Sequence, residues 1–218
     1  MLYLAHRLFS EAAAKDLGRR LMMSNEWVDG LSSAKSSQGI KRNLQLNKGE
    51  TYSKFSKEIV ELIENDDLIK NFSFPSKIFN VLFTRTGQGM FYKPHVDFPI
   101  LPAGRRDISF TLFLSQPKDY EGGELILYIP PEKKQIKMNP GEMIIYSTKY
   151  LHEVKEVTDG ERMVCVGWIE SQIERDDDRE NLYLINNVLS EITQKYGHSS
   201  ATQNLNLSFN NLYKRFLS

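Results

Sequence analysis

The sequence predicts an α+β protein whose mainly β core is of the jelly-roll kind, with helices before it and a helical extension after it. Two observations lead to this prediction. Between residues 78 and 171 the apolar side chains recur with a period of two in short runs separated by turn residues. On both sides of this region they recur at three and four residues, as in amphipathic helices. We therefore expect an N-terminal helical and loop region at 1–77, the core at 78–171 and a C-terminal helical extension at 172–218.

The N-terminal region should contain two helices. Apolar residues at helical spacing begin behind Ser10, a candidate N-cap, and continue toward Trp27. The same spacing returns at residues 54–70 and predicts a second helix. Between them, residues 29–50 are rich in Ser, Gly, Lys and Asn, and they predict an irregular surface segment with a short strand near 40–46.

The core should consist of short strands joined by turns. The candidate strands are residues 78–86, 108–115, 124–129, 135–138, 142–147 and 162–170. The connections include QPKDYEGG, PPEKK and NPGE, which carry the residues that tight turns favour. Gly122 and Gly123 suit a turn that requires positive φ. This pattern is typical of a β-sandwich or barrel.

The chain after residue 175 returns to a helical pattern. Three aspartates at 176–178 suit a helix N-terminus, and the apolar residues that follow form one stripe. The segment from Leu205 to Phe216 repeats this spacing. The sequence leaves open whether these helices cap the core or form the surface of a homodimer.

Composition excludes several classes of function. The 28 Lys and Arg residues balance 28 Asp and Glu residues, so no long-range positive field attracts the chain to a phosphate backbone and nucleic acid is not an expected partner. The single cysteine, Cys165, excludes an intramolecular disulfide and an all-thiolate metal site, so any metal must be held by His and carboxylate. No uncharged apolar stretch approaches about 18 residues. We predict a soluble cytoplasmic protein without a membrane partner.

Two of the four histidines, His95 and His152, fall inside the β region. In an extended chain, residues two apart point to the same side, so His95 and Asp97 can face one point in space. A jelly roll can bring His152 to them from a distant strand. Two His and one carboxylate are the ligands of non-haem Fe(II) oxygenases. From this pattern alone, however, His95 could equally cap a loop and His152 could be a satisfied strand histidine.

Arg162 opens the last candidate strand. It should share a face with Val164, Val166 and Trp168, whereas Cys165 belongs to the opposite face. If the Arg162 face lines the interior, the guanidinium needs an anionic partner, and a small dicarboxylate would suit its planar fork. The alternative is an outward Arg162 in a surface ion pair with Glu161 or Glu153.

Longer motifs give these residues a context. They are YKPHVDF, RRDISFTLFLSQPKDYEGGEL, PGEMIIYSTKYLHEV, Arg162 ten residues after His152, and WIESQIERDD, together with EWVDG at 26–30 and AKSSQGIKRNLQ at 34–45. In these motifs the sequence resembles the PKHD-type hydroxylases, a group within the prolyl-4-hydroxylase-like Fe(II)- and 2-oxoglutarate-dependent dioxygenases. The resemblance covers nearly the whole chain.

The resemblance implies a double-stranded β-helix at 78–171 with His95, Asp97 and His152 as iron ligands and Arg162 binding the distal carboxylate of 2-oxoglutarate. It implies Fe(2+) as cofactor and 2-oxoglutarate and dioxygen as cosubstrates, with L-ascorbate as a further candidate. The reaction would couple oxidative decarboxylation of 2-oxoglutarate, to succinate and CO2, to hydroxylation of an unidentified substrate.

One position departs from the family pattern. Relatives commonly carry a tyrosine nine residues before the first histidine, where this chain has Thr86, whose hydroxyl can donate a hydrogen bond but reaches less far. Tyr92 matches the family's aromatic position and could take part of that role in binding the cosubstrate.

The resemblance also places residues 34–45 near the mouth of the site. Lys41, Asn43 and Gln45 share a face if this segment is extended, so they are candidate substrate contacts, with a solvated loop as the equal alternative. Trp168 is expected in the core rather than as a substrate platform, and Cys165 as a packed apolar residue.

Two other functions compete with the hydroxylase. A nucleic-acid demethylating dioxygenase would share the iron ligands, but the zero net charge and Trp168, where that group has a second arginine, disfavour it. A non-catalytic jelly-roll module that binds metal or a dicarboxylate is the alternative outside enzymes. Asp97 and Arg162 favour an enzyme.

Overall fold

The structure, a computed structural model, describes residues 3–33 and 38–217. Its helices are α1 (Glu11–Met22), α2 (Glu50–Asn65), α3 (Asp67–Ser73), α4 (Asp176–Tyr196) and α5 (Ser200–Phe216). Its strands are β1 (Tyr3–Arg7), β2 (Trp27–Asp29), β3 (Lys41–Arg42), β4 (Leu44–Leu46), β5 (Pro75–Thr86), β6 (Phe91–His95), β7 (Ile100–Leu101), β8 (Gly104–Arg105), β9 (Ile108–Phe113), β10 (Tyr120–Gly122), β11 (Leu125–Ile129), β12 (Glu132–Ile136), β13 (Glu142–Ser147), β14 (Leu151–Val154), β15 (Val157–Gly160) and β16 (Arg162–Ser171). Residues 34–37 of the predicted irregular segment lie outside the described residues.

The strands form two main antiparallel sheets. The larger has the order β1-β13-β9-β16-β5-β4-β2, and the smaller has the order β12-β11-β14-β6-β3. Strands β7 with β8 and β10 with β15 form two further pairs. This arrangement confirms the predicted α+β fold with a double-stranded β-helix core. The predicted strand near residues 40–46 is in fact two strands, and they belong to different sheets, so this segment crosses from one sheet to the other.

The N-terminal helices cover the outer face of the larger sheet. Apolar residues of α1, α2 and α3 pack in one cluster with residues of β5, β9, β13 and β16. Helix α1 begins as predicted, because the Ser10 side chain accepts a hydrogen bond from the Ala13 N–H. The single helix predicted at 54–70 is wrong: Asp66 has extended backbone (φ −84°, ψ 114°), ends α2, and caps α3 by accepting a hydrogen bond from the Ile69 N–H.

The two faces of β16 divide as the alternation predicts. Met163, Cys165 and Ile169 face the helices and belong to the apolar cluster, whereas Val164 packs between the sheets. Gly167 has no room for a side chain, because a Cβ there would lie 2.6 Å from the ring of Phe110.

The C-terminal helices pack against one end of the core. Leu182 and Tyr183 of α4 form a cluster with Phe74 and Ile173, and aromatic residues of α5 pack onto it. The first turn of α4 contains the three aspartates, as predicted from the helix dipole. A homodimer through this extension stays a prediction. No helix within the described part of the chain is both long and apolar enough to cross a membrane.

Candidate active site

A cavity of about 820 Å³ lies between the two main sheets. Small-molecule sites in proteins commonly have volumes of roughly 300–1,000 Å³. Residues from β3, β4, β5, β6, β9, β14 and β16 form its wall. His95, Asp97, His152 and Arg162, for which the sequence argument is strongest, all line this cavity.

The structure brings His95, Asp97 and His152 together. Strands β6 and β14 are neighbours, with His152 directly opposite His95, and their ring centroids are 4.3 Å apart. Asp97 follows β6 by two residues, and its Oδ2 lies 4.0 Å from His152 Nε2. One potential ligand atom from each residue lies within 4.8 Å of the others. Two imidazoles and a carboxylate in this arrangement fit a ferrous ion.

Backbone carbonyls fix the tautomers of both histidines. His95 Nδ1 lies 2.8 Å from the Lys93 oxygen, and His152 Nδ1 lies 3.0 Å from the Tyr150 oxygen. Because a carbonyl can only accept a hydrogen bond, each Nδ1 carries the hydrogen. The Nε2 lone pairs are therefore free for a metal, as is usual when a second hydrogen bond orients a histidine ligand.

Two donors hold the Asp97 carboxylate. Ser109 Oγ donates to Asp97 Oδ2 at 2.7 Å, and Trp168 Nε1 donates to the same oxygen at 2.9 Å. Both donors come from neighbouring strands of the larger sheet, where Trp168 pairs with Ser109. The rigid sheet thus orients the carboxylate and leaves Oδ1 for a cation.

The protonation states also suit a divalent cation. Burial, together with His152, lowers the pKa of His95 to about 4, so its imidazole is neutral at pH 7. Burial raises the pKa of Asp97, but His152 and the hydrogen bonds from Trp168 and Ser109 outweigh it, so the net pKa lies below the usual value. His95 and Asp97 therefore present a neutral imidazole and a negative charge to a metal.

Arg162 points into the protein, where it is 3% exposed. Its guanidinium carbon lies 5.5 Å from the centroid of the Phe113 ring, and its Nε has no hydrogen-bond partner. Burial lowers its pKa, and the hydroxyls of Tyr120 and Tyr146 only partly oppose this effect. Among the described residues, no carboxylate forms an ion pair with it.

The alternative surface ion pair of Arg162 is not formed. Glu161 instead binds Arg85 at 2.5 Å, and Glu153 binds Lys155 at 3.0 Å. An arginine keeps its charge even when buried, and an unpaired buried charge is strongly unfavourable. The cavity beside Arg162 is therefore suited to an anionic ligand.

Thr86 and Tyr92, the two candidate cosubstrate contacts besides Arg162, lie in different parts of the cavity. Thr86 is the direct cross-strand partner of Arg162 and lines the cavity beside it. Tyr92 instead stacks on His95, with ring centroids 3.5 Å apart, and Lys41 Nζ lies 5.4 Å from the Tyr92 ring centroid.

All three candidate substrate contacts, Lys41, Asn43 and Gln45, line the cavity. The alternative of a solvated loop is wrong, because Lys41 is 8% and Gln45 is 4% exposed. Lys41 lies on β3 and Gln45 on β4, so the crossing between the two sheets presents these side chains to the same space. The Asn43 Oδ1 atom is buried without a hydrogen-bond partner.

Sequence reasoning missed three residues of this site. Trp168, expected in the core, lines the cavity and binds Asp97, so that expectation is wrong. Ser109 was not singled out, although polar residues alternate with buried apolar ones along β9, which is a signal of a polar inner face. Arg106 also lines the cavity, and its guanidinium carbon lies 3.8 Å from the centroid of the Trp168 ring.

Comparison with protein families gives a match to the 2OG-Fe(II) oxygenase superfamily over residues 81–170. This range contains His95, Asp97, His152 and Arg162. A PKHD-type hydroxylase of Prochlorococcus marinus strain NATL2A is 39% identical over 218 residues, 99% of each chain. Another, from strain NATL1A, is 40% identical over 221 residues and again 99% of each chain.

Solved structures share the fold at low sequence identity. A Pseudomonas putida prolyl-4-hydroxylase has a TM-score of 0.58 at 19% identity, covering 78% of this chain and 92% of its own. A prolyl hydroxylase from Trichoplax adhaerens, solved with a peptide of hypoxia inducible factor, has a TM-score of 0.57 at 16% identity, covering 83% and 86%.

Proposed function

The chain belongs to the PKHD-type hydroxylases of the 2OG-Fe(II) oxygenase superfamily, and on that premise we propose that it couples decarboxylation of 2-oxoglutarate to hydroxylation of a substrate. The family is one of dioxygenases that use Fe(2+) and 2-oxoglutarate. The single observation that carries the proposal is a buried Arg162, without a carboxylate partner among the described residues, in the same cavity as a His-Asp-His cluster.

In this proposal, His95, Asp97 and His152 hold the iron. When bound, ferrous iron and 2-oxoglutarate together supply the activation of dioxygen that a hydroxylation requires, with succinate and CO2 as coproducts. The chain itself supplies ligands in the correct tautomer and a carboxylate held by Ser109 and Trp168.

Arg162 binds the distal carboxylate of 2-oxoglutarate in this proposal. Its planar fork can donate two parallel hydrogen bonds to a carboxylate. Thr86, on the neighbouring strand, adds a hydroxyl beside the same carboxylate. Tyr92 lies on His95 and is better placed to fix that imidazole than to extend the Arg162 pocket. Ferrous iron needs a reducing environment, so the proposal places the enzyme in the cytoplasm.

The iron site is tested without any substrate. Under anaerobic conditions, Fe(II) and 2-oxoglutarate should together give a weak visible charge-transfer band, and admission of air should yield succinate. His152→Ala should remove the band, whereas His198→Ala, at an exposed position between α4 and α5, should keep it. No band in the wild type, or an undiminished band in His152→Ala, would refute the assignment.

The Arg162 assignment has a separate test. Arg162→Gln should weaken 2-oxoglutarate binding by about 1.5–3 kcal/mol for each charge-assisted hydrogen bond lost, which is roughly 10- to 150-fold for one bond. Arg85→Gln is the matched control, because Arg85 lies on the adjacent strand but binds Glu161 near the surface. Equal affinity of wild type and Arg162→Gln in calorimetric titration would show that another residue binds the cosubstrate.

A further inference from the structure

We infer that the substrate of this enzyme carries an oxyanion, such as a carboxylate or phosphate, which Lys41 and Arg106 bind inside the cavity. This inference rests on the proposed function for the identity of the reaction, but the two cations and their surroundings are observed independently of it. Both residues line the cavity that contains the His-Asp-His cluster.

Arg106 is an available cation. Its guanidinium stacks on Trp168, 3.8 Å from the ring centroid, and its Nε is buried without a hydrogen-bond partner. No ion pair with it is formed within residues 3–33 and 38–217. Burial lowers its pKa, although Asp97 opposes this effect. A half-buried guanidinium with an unused buried donor gains from an oxyanion, because charge-assisted hydrogen bonds are roughly twice as strong as neutral ones.

Lys41 is the second cation. Its Nζ donates to the Gly30 oxygen at 3.1 Å, which leaves two of its three donors for other partners. Burial lowers the pKa of Lys41 to about 8; Asp29 opposes this effect and Arg106 adds to it. Lys41 is therefore still mostly protonated at pH 7. Two positive charges in one cavity repel each other, and an anion that binds between them offsets this repulsion.

This pair is separate from the arginine proposed for 2-oxoglutarate. Arg106 stacks on Trp168, which lies six residues along β16 from Arg162. At about 3.3 Å per residue, those two positions are roughly 20 Å apart along the strand. In this inference, the distal carboxylate at Arg162 and the oxyanion beside Trp168 therefore occupy different parts of the cavity.

The rest of the cavity mouth indicates the body of the substrate. Val96 and Phe98 also line the cavity, and they are 53% and 68% exposed. An apolar group next to the oxyanion would cover them. Benzoate and phenyl phosphate combine these features in simple probes, and benzamide is the uncharged counterpart of benzoate.

The probes are tested by ligand-observed NMR on the metal-free protein, so the result does not depend on iron or turnover. Benzoate or phenyl phosphate should bind at least about tenfold more tightly than benzamide, and Arg106→Gln and Lys41→Gln should each weaken that binding about tenfold or more. Arg106→Lys, which keeps the charge, should retain a preference for the anion. Lys93→Gln, at an exposed lysine beside the site, should bind as the wild type does.

Three results would overturn the inference: no binding of either anion, equal binding of benzoate and benzamide, or loss of binding in Arg162→Gln with retention in the Lys41 and Arg106 variants. Failure of the proposed function gives a different pattern. In that case the charge-transfer band and succinate are absent, whereas anion binding by Lys41 and Arg106 persists.

Discussion

The indole of Trp168 should strengthen iron binding, although Trp168 is not itself a ligand. Trp168→Phe keeps an aromatic ring but removes the N–H that donates to Asp97 Oδ2 at 2.9 Å. A hydrogen bond to a charged group contributes about 1.5–3 kcal/mol, and loss of a partner that orients a metal ligand commonly weakens metal binding by about 10- to 100-fold. Since Ser109 still donates to the same oxygen, we expect a loss near tenfold.

Metal affinity can be measured directly for this variant. The Fe(II) dissociation constant is determined anaerobically by competition with a chromogenic chelator. Trp27→Phe is the matched control, because Trp27 Nε1 donates to the Leu21 oxygen in a different part of the fold. Wild-type affinity in Trp168→Phe would show that the indole does not orient Asp97. Equal losses in both variants would indicate a general effect on folding rather than on the ligand.

Three further substitutions test the same structural reasoning. Ser109→Ala removes the other donor to Asp97, and the chelator competition should again show about a tenfold loss of iron affinity. Gly167→Ala should destabilise the fold by about 1–3 kcal/mol in urea unfolding, because its Cβ would lie 2.6 Å from the ring of Phe110, a side chain that is 1% exposed, so the ring must shift. Asp176→Asn should lower the free energy of unfolding at pH 7 by about 1 kcal/mol, because asparagine can still accept the hydrogen bond that Ser147 donates at 2.6 Å but loses the charge that pairs with Arg179 and Lys149. Burial raises the pKa of Asp176, but this bond and nearby cations bring it below the ordinary value of 3.8, so the difference from wild type should narrow as the pH falls below that value; a constant difference would contradict the argument.

The β core could be predicted because burial on two faces imposes a strict pattern. Along β16, apolar residues occupy both faces, and Arg162 is the exception at one end. An isolated charge in such a strand has few satisfactory environments, so it marks a binding site. The break between α2 and α3 could not be predicted in the same way, because apolar spacing continues through it. The break depends on Asp66, which ends one helix and caps the next. Its Oδ2 atom also lies 2.7 Å from Nε2 of His6 on β1.

The supporting residues of the site were harder to predict than its ligands. The largely apolar ring of Trp168 predicts a core position. Its N–H donates to Asp97, and the sequence alone does not show that these two residues are close in space. Arg106 lies between the β7–β8 pair and β9, where a charged residue is unremarkable in sequence. Its position beside Lys41 depends on the crossing of residues 41–46 between the two sheets, a long-range feature that no local pattern contains.

The larger sheet separates the requirements of stability from those of chemistry. On β9, Leu112 packs in the apolar cluster with the helices, whereas Ser109 and Thr111 line the cavity. Because successive side chains of a strand point to opposite faces, a substitution at Thr111 changes the cavity without opening a hole in the apolar cluster, and one at Leu112 does the reverse. A core that is held from its outer face by α1, α2 and α3 can therefore keep an inner face that is polar, charged and short of partners. That inner face suits the ferrous ion and the two anionic ligands that we propose.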